Sequence, residues 1–134
     1  MHIFLCGSKA FYDRIPAIKH TLEQSGHIIM PPNGYDAPEQ EASQKVVGDH
    51  AAWKAAMLRA DRECVMANDA ILVLNYDKNG QHNYVGGAVF LEIAHAFTLH
   101  KKIFFMNPIP DNIFTDELIG MQPVIINGDL LKVH

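Results

Sequence analysis

Five short runs of this chain are apolar at nearly every position, and that continuity is the tightest constraint on its fold. They are HIFLC at residues 2–6, HIIM at 27–30, DAILVLN at 69–75, KKIFFM at 101–106 and PVII at 123–126. A strand apolar on both faces must be covered on both faces, which is the condition of a parallel sheet buried between helices. The intervening segments supply the covers. DRIPAIKHTLEQSG carries Ile15, Ile18 and Leu22 at helical spacing ahead of Gly26, and DHAAWKAAMLRADRECVMAN opens on Asp49 as an N-cap. A further helix is expected over residues 85–100, and IFTDELIG supplies a short last one. This alternation predicts an α/β fold. We expect a three-layer sandwich around a five-stranded parallel sheet of flavodoxin/Rossmann-like order, as a single domain over residues 1–134.

In such sheets ligands sit at the carboxyl ends of the strands, beside the point where the strand order reverses. The residues that follow strands are therefore the ones to examine: Gly7, Ser8 and Lys9, the loop from Asn75, the pair Gly86-Gly87, and Asn107. The segment from Pro31 to Gly48 is polar and rich in turn formers, and is expected to be a mobile loop that closes over the site.

Composition narrows the function classes. The chain has 15 acidic residues against 11 Lys and Arg, and the basic residues form no stripe, so nucleic acid is not an expected partner. No run approaches the roughly 20 apolar residues of a membrane span, and the apolar start is too short for a signal peptide. Cys6 and Cys64 lie far apart without CxxC spacing, which reads as two unpaired thiols in a soluble cytoplasmic protein. The eight histidines show no metal-ligand spacing beyond Glu92 with His95, and neither a metal nor a cofactor is expected.

One acid interrupts the apolar helix GGAVFLEIAHAFTLH. At 100° per residue Glu92 shares a stripe with Val85, Ala88, Val89, His95, Ala96 and Leu99, which places it on the buried side. A carboxylate there costs several kcal/mol unless it is paired, or it responds by raising its pKa. It is either satisfied by backbone donors near the helix start or held there for chemistry. The same helix start offers free N–H groups, and Gly86 and Gly87 let a ligand approach closely.

Three segments in order, IFLCGSKAFYD, the AD eight residues ahead of NDAILVLN, and GGAVFLEIAHAFTLHKKIFF, resemble the nucleoside 2-deoxyribosyltransferase family, including its deoxynucleoside monophosphate N-glycosidase relatives. The resemblance runs over nearly the whole chain. It implies that Gly7 and Ser8 hold the sugar or phosphate, that Asp61 contacts sugar and base with Asp69 as the strand-opening partner, and that Glu92 in LEIAHA is the nucleophile. It also implies that the C-terminal stretch GMQPVIIN, with Gln122 at its polar position, reaches a neighbouring subunit's site. The glycine pair is also similar to the loop of nucleotide-binding phosphoribohydrolases, which cleave the same kind of bond.

The chemistry suits these residue types. Cleavage of an N-glycosidic bond passes through an oxocarbenium-like state, which a carboxylate can capture covalently while a second acid assists departure of the base. Glu92 and Asp61 are the candidate catalytic pair. Gly7, Ser8, Phe11, Tyr12, Asp69, Gly86, Gly87 and Gln122 are the candidate substrate contacts, with Phe11 or Tyr12 expected to wall the pocket. The expected partner is a small nucleoside or nucleotide, cleaved or transferred at its glycosidic bond. The alternative is a sensor domain that binds a nucleotide without turnover. Because the Glu92 helix is apolar nearly all round, a homodimer or higher even oligomer is expected.

Overall fold

The computed structural model describes residues 1–40, 43 and 49–134. Five strands, β1 (His2–Cys6), β2 (Ile28–Met30), β3 (Ala70–Val73), β4 (Lys102–Phe105) and β5 (Val124–Ile125), form one parallel sheet in the order β2-β1-β3-β4-β5. This is the flavodoxin-like order. The chain runs outward from β1 to β2, crosses back to β3, and continues the other way, so the order reverses between β1 and β3.

The alternation of side chains along each strand divides the core in two. Ile3, Leu5, Leu72, Leu74, Phe104 and Met106 face α1 (Ile15–Gln24) through Ile15, Ile18 and Leu22. Phe4, Cys6, Ile71, Val73, Ile103 and Phe105 face the other layer. That layer contains α2 (His50–Met66), α3 (Gly87–Thr98) and α4 (Thr115–Gly120), which contribute Val65, Val89, Ile93, Ala96 and Leu118. Both faces of the central strands are thereby buried, as their unbroken apolar runs require.

Local sequence sets the helix ends. The Asp49 side chain accepts a hydrogen bond from the Ala52 N–H at 3.1 Å and starts α2, as its position predicts. Before α1, residues Lys9–Arg14 form a 3₁₀ turn started by Ser8, whose Oγ accepts from Ala10 N–H. The α3 helix is shorter than the expected 85–100. Gly86 is extended (φ −87°, ψ 179°) and serves as the N-cap, while His100 at φ +56° cannot continue the helix. Among the described residues, no helix is long and apolar enough to cross a membrane.

Of the loop expected over 31–48, the first ten residues form turns beside the carboxyl end of β2, and Asp49 follows it as a cap. Positions 41, 42 and 44–48 lie outside the described residues.

Candidate functional site

A cavity of about 370 Å³ opens at the carboxyl ends of β1 and β3, at the reversal of strand order. The volume lies toward the small end of small-molecule sites, about 300–1,000 Å³. Four segments meet there. The turn after β1 supplies Gly7, Ser8, Lys9 and Tyr12, and the segment after β2 supplies Asn33, Gly34 and Pro38. Helix α2 adds Trp53, Met57 and Asp61 at i, i+4, i+8 on one face, together with Lys54. The fourth segment carries Lys78 and Tyr84, then Gly86, Gly87 and Glu92 at the start of α3.

Two glycines permit close approach at this end of the sheet. A Cβ on Gly7 would sit 3.1 Å from Leu74 Cβ, so any side chain there would crowd the end of β3 and push Leu74 by a few tenths of an ångström. A Cβ on Gly86 would lie 2.7 Å from the Tyr84 hydroxyl, so a larger residue there would push the tip of the tyrosine ring off the helix start.

Glu92 lines this cavity yet is only 6% exposed. Burial pushes its carboxyl well above the usual carboxylate range, the negative charge of Asp61 pushes it further, and a hydrogen bond with the Cys6 side chain opposes both. Asp61 is half-buried on α2 and is also raised by burial, offset by Asn33 Nδ2, which donates to Oδ1 at 3.3 Å, and by the Lys54 charge. The cavity therefore holds two carboxyl groups with raised proton affinity, one of them nearly sealed from water. Cys6 and Cys64 are both free thiols, each raised mainly by burial.

The structure separates the residues named from sequence. Gly7, Ser8, Tyr12, Asp61, Gly86, Gly87 and Glu92 converge on the cavity. Phe11 does not. It is buried edge to face with Tyr76 at 5.4 Å, because consecutive residues of the 3₁₀ turn point to different sides. Asp69 does not line the cavity either. It precedes β3 at the amino end of the sheet, and its exposed carboxylate accepts the His2 N–H at 2.8 Å, which holds its pKa down. Asn75, at the other end of β3, is six positions further along the chain, roughly 20 Å at 3.3 Å per residue. Gln122, at φ +54° just ahead of β5, is likewise at the amino end, where it borders a second concavity with Phe97, Lys102 and His134. It contributes nothing to the cavity of its own chain.

Asn75 and Asn107 face one another rather than the ligand space. Asn75 is fully buried, its amide donates to the carbonyls of Asn107 (2.8 Å) and Pro108 (3.0 Å), and its Oδ1 accepts from Asn107 N–H at 2.9 Å. The pair clamps the ends of β3 and β4 together. Among the described residues, no group of three His, Cys, Asp or Glu side chains is placed to hold a metal ion.

Lys78 was not among the residues singled out from sequence. It sits on a tight hairpin whose central Asn79 and Gly80 both have positive φ (50° and 77°), closed by paired hydrogen bonds of 2.9 Å between Lys78 and Gln81. The Asn-Gly dipeptide is the signal that would have found it. Its Nζ donates to Ser8 Oγ at 2.9 Å and lies 4.8 Å from the centroid of the Tyr84 ring.

Comparison with protein-family models, curated proteins and solved structures gave no match to this chain. The functional reading therefore rests on the residues and geometry of the cavity.

Proposed function

We propose that this chain cleaves or transfers the N-glycosidic bond of a (deoxy)nucleoside or nucleotide, with Glu92 as nucleophile and Asp61 as the acid that assists the base. The observation that carries the reading is the nearly sealed Glu92 carboxyl on the floor of a small cavity that it shares with Asp61. The sequence resemblance to nucleoside 2-deoxyribosyltransferases names the same two residues independently of that geometry.

In this reading the Glu92 carboxylate attacks the anomeric carbon as the carbon–nitrogen bond breaks. The electron pair of that bond leaves with the base, which takes a proton from Asp61. The result is a glycosyl ester on Glu92. Water or a second base then attacks the same carbon, returns the ester oxygen to Glu92 as carboxylate, and gives its proton to Asp61. A poorly hydrated carboxylate is a stronger nucleophile than an exposed one, and Tyr12, Trp53, Met57 and Tyr84 offer apolar and aromatic surface to a planar base.

Assembly belongs to the same proposal. Leu91 and Phe97 of α3 are 42% and 47% exposed, and Phe90 is half-buried with its ring stacked on Phe114 at 4.3 Å. A second copy packed on this helix would cover them, and Gln122, unused in its own chain, would be carried toward the partner's cavity.

The test is incubation of the pure protein with deoxynucleosides and their 5′-monophosphates, followed by chromatography for free base. Release of base supports an enzyme. Saturable binding without release supports the sensor alternative instead.

A further inference from the structure

Glu92 enters the core beside a thiol. Cys6 closes β1, is fully buried, and shares with Phe4 the strand face opposite Ile3 and Leu5. There it packs in one cluster with Val89 and Ile93, the residues three before and one after Glu92 on α3. The next residue in the chain, Gly7, is already cavity wall. Helical side chains lean toward the helix N-terminus, so Glu92 is directed from α3 back toward the carboxyl end of β1. It meets the Cys6 side chain there in a hydrogen bond.

The rest of that cluster has no proton to give. Val73, Val85, Val89 and Phe105 around Cys6 carry hydrocarbon side chains. The titratable groups that act on the pair come from α2: Asp61 on Glu92, and Asp61 with Cys64 on Cys6, while Lys54 acts on Asp61. Among the described residues, burial and Asp61 favour the protonated form of Glu92, and the Cys6 hydrogen bond favours the carboxylate. Burial and the Glu92 charge also push the Cys6 thiol well above its ordinary range. It therefore keeps its proton, and toward a carboxylate a protonated thiol acts as a donor.

We propose that Cys6 is a positioning residue for Glu92: its S–H donates to one carboxylate oxygen and leaves the other turned to the cavity for the anomeric carbon. This rests on the function proposed above and deepens it. Cys6 itself touches no substrate, since it is fully buried and does not line the cavity. The weakness of a thiol donor suits the task. A strong donor would stabilise the free carboxylate more than the ester it forms, and so would slow attack. A weak one fixes the orientation and costs little nucleophilicity.

The S–H stretching band falls in an infrared window free of other protein bands, and its frequency drops as the thiol donates more strongly. The Cys6 band is the one that persists in Cys64→Ala. It is expected to drop as pH rises, with the midpoint of the Glu92 titration, and to stay fixed in Glu92→Gln. In base release, Cys6→Ala should lower kcat about three- to tenfold, the worth of one weak hydrogen bond, with KM unchanged and the acid limb of kcat/KM moved to higher pH. Cys6→Ser keeps a donor, so it should return the limb to its wild-type position or below and restore part of kcat. A Cys6 band indifferent to pH overturns the proposal, as does an acid limb that Cys6→Ala leaves in place. Equal losses in Cys6→Ala and Cys6→Ser with an unmoved limb would make the residue mere packing. A band that tracks Glu92 in a protein that releases no base sinks the catalytic reading alone, and base release with an indifferent band sinks this inference alone.

Discussion

The charge of Asp61 on α2 raises the proton affinity of Glu92 on α3, an effect second only to the burial of Glu92 itself. Burial weighs more on Glu92 because Asp61 is half exposed, and the form that cleaves is the one in which the single proton of the pair sits on Asp61 and Glu92 is ionised. This coupling gives the first prediction. Removing the Asp61 charge favours ionised Glu92, so in Asp61→Asn the acid limb of kcat/KM against pH should move to lower pH. The rate should fall about 100-fold or more through loss of the assisting acid. An acid limb that stays in place would show that the carboxyls do not act on one another.

Stability should carry the same signature. The folded pKa of Glu92 lies above its unfolded value of about 4.3, so below that value the protonated group costs nothing on folding. As pH rises from there toward the folded pKa, the unfolded chain ionises first and stability is lost. Glu92→Gln removes this loss. The variant should melt higher than wild type at pH 7–8, by about 3–5 °C for each kcal/mol recovered, and level with it near pH 4. Equal melting temperatures at both pH values would contradict the buried state of the carboxyl.

The Asn75 clamp is structural, and its loss should be felt in the fold. Asn75→Ala deletes two donated bonds and one accepted bond and leaves the Asn107 N–H without its partner. A loss of about 2–4 kcal/mol in urea unfolding is expected. A change under about 1 kcal/mol would mean that water replaces the amide.

Assembly is testable by sedimentation. The wild-type protein at micromolar concentration should run as a dimer or larger even oligomer, and Leu91→Glu, a charge placed on the outer face of α3, should shift it toward monomer. A wild-type monomer of 15.0 kDa that still releases base would remove both the interface and any role for Gln122 in a partner's site.

Legibility in the sequence followed the range of the signal. The strands were readable because an unbroken apolar run such as ILVL admits few other environments, and their order because alternating strands and helices take the flavodoxin-like arrangement most simply. Glu92 was readable because helical periodicity alone puts it on the buried stripe. Asp61 came from resemblance, since on α2 nothing local distinguishes it from Glu63. The Trp53, Met57, Asp61 face becomes visible only once the fold brings it opposite Gly7 and Gly86. The spacing that links Asp61 to Asp69 is a chain distance, and the end of α2 at Met66 carries the chain away from the cavity to the amino end of β3, which is why Asp69 accepts the His2 N–H instead of meeting a ligand. Phe11 and Tyr12 were inseparable for a related reason. A 3₁₀ turn sends neighbours to different sides, and sequence does not say which one faces out.

The central claim is that Glu92 is the nucleophile, and the most direct measurement is the rate of base release by wild type and Glu92→Gln under identical conditions. Both proteins should give the same circular dichroism spectrum. The account predicts base release by wild type from a deoxynucleoside or its monophosphate, and at least a 1,000-fold lower rate from Glu92→Gln, on the order expected when a covalent nucleophile is lost. Base release by a folded Glu92→Gln protein at the wild-type rate would contradict it.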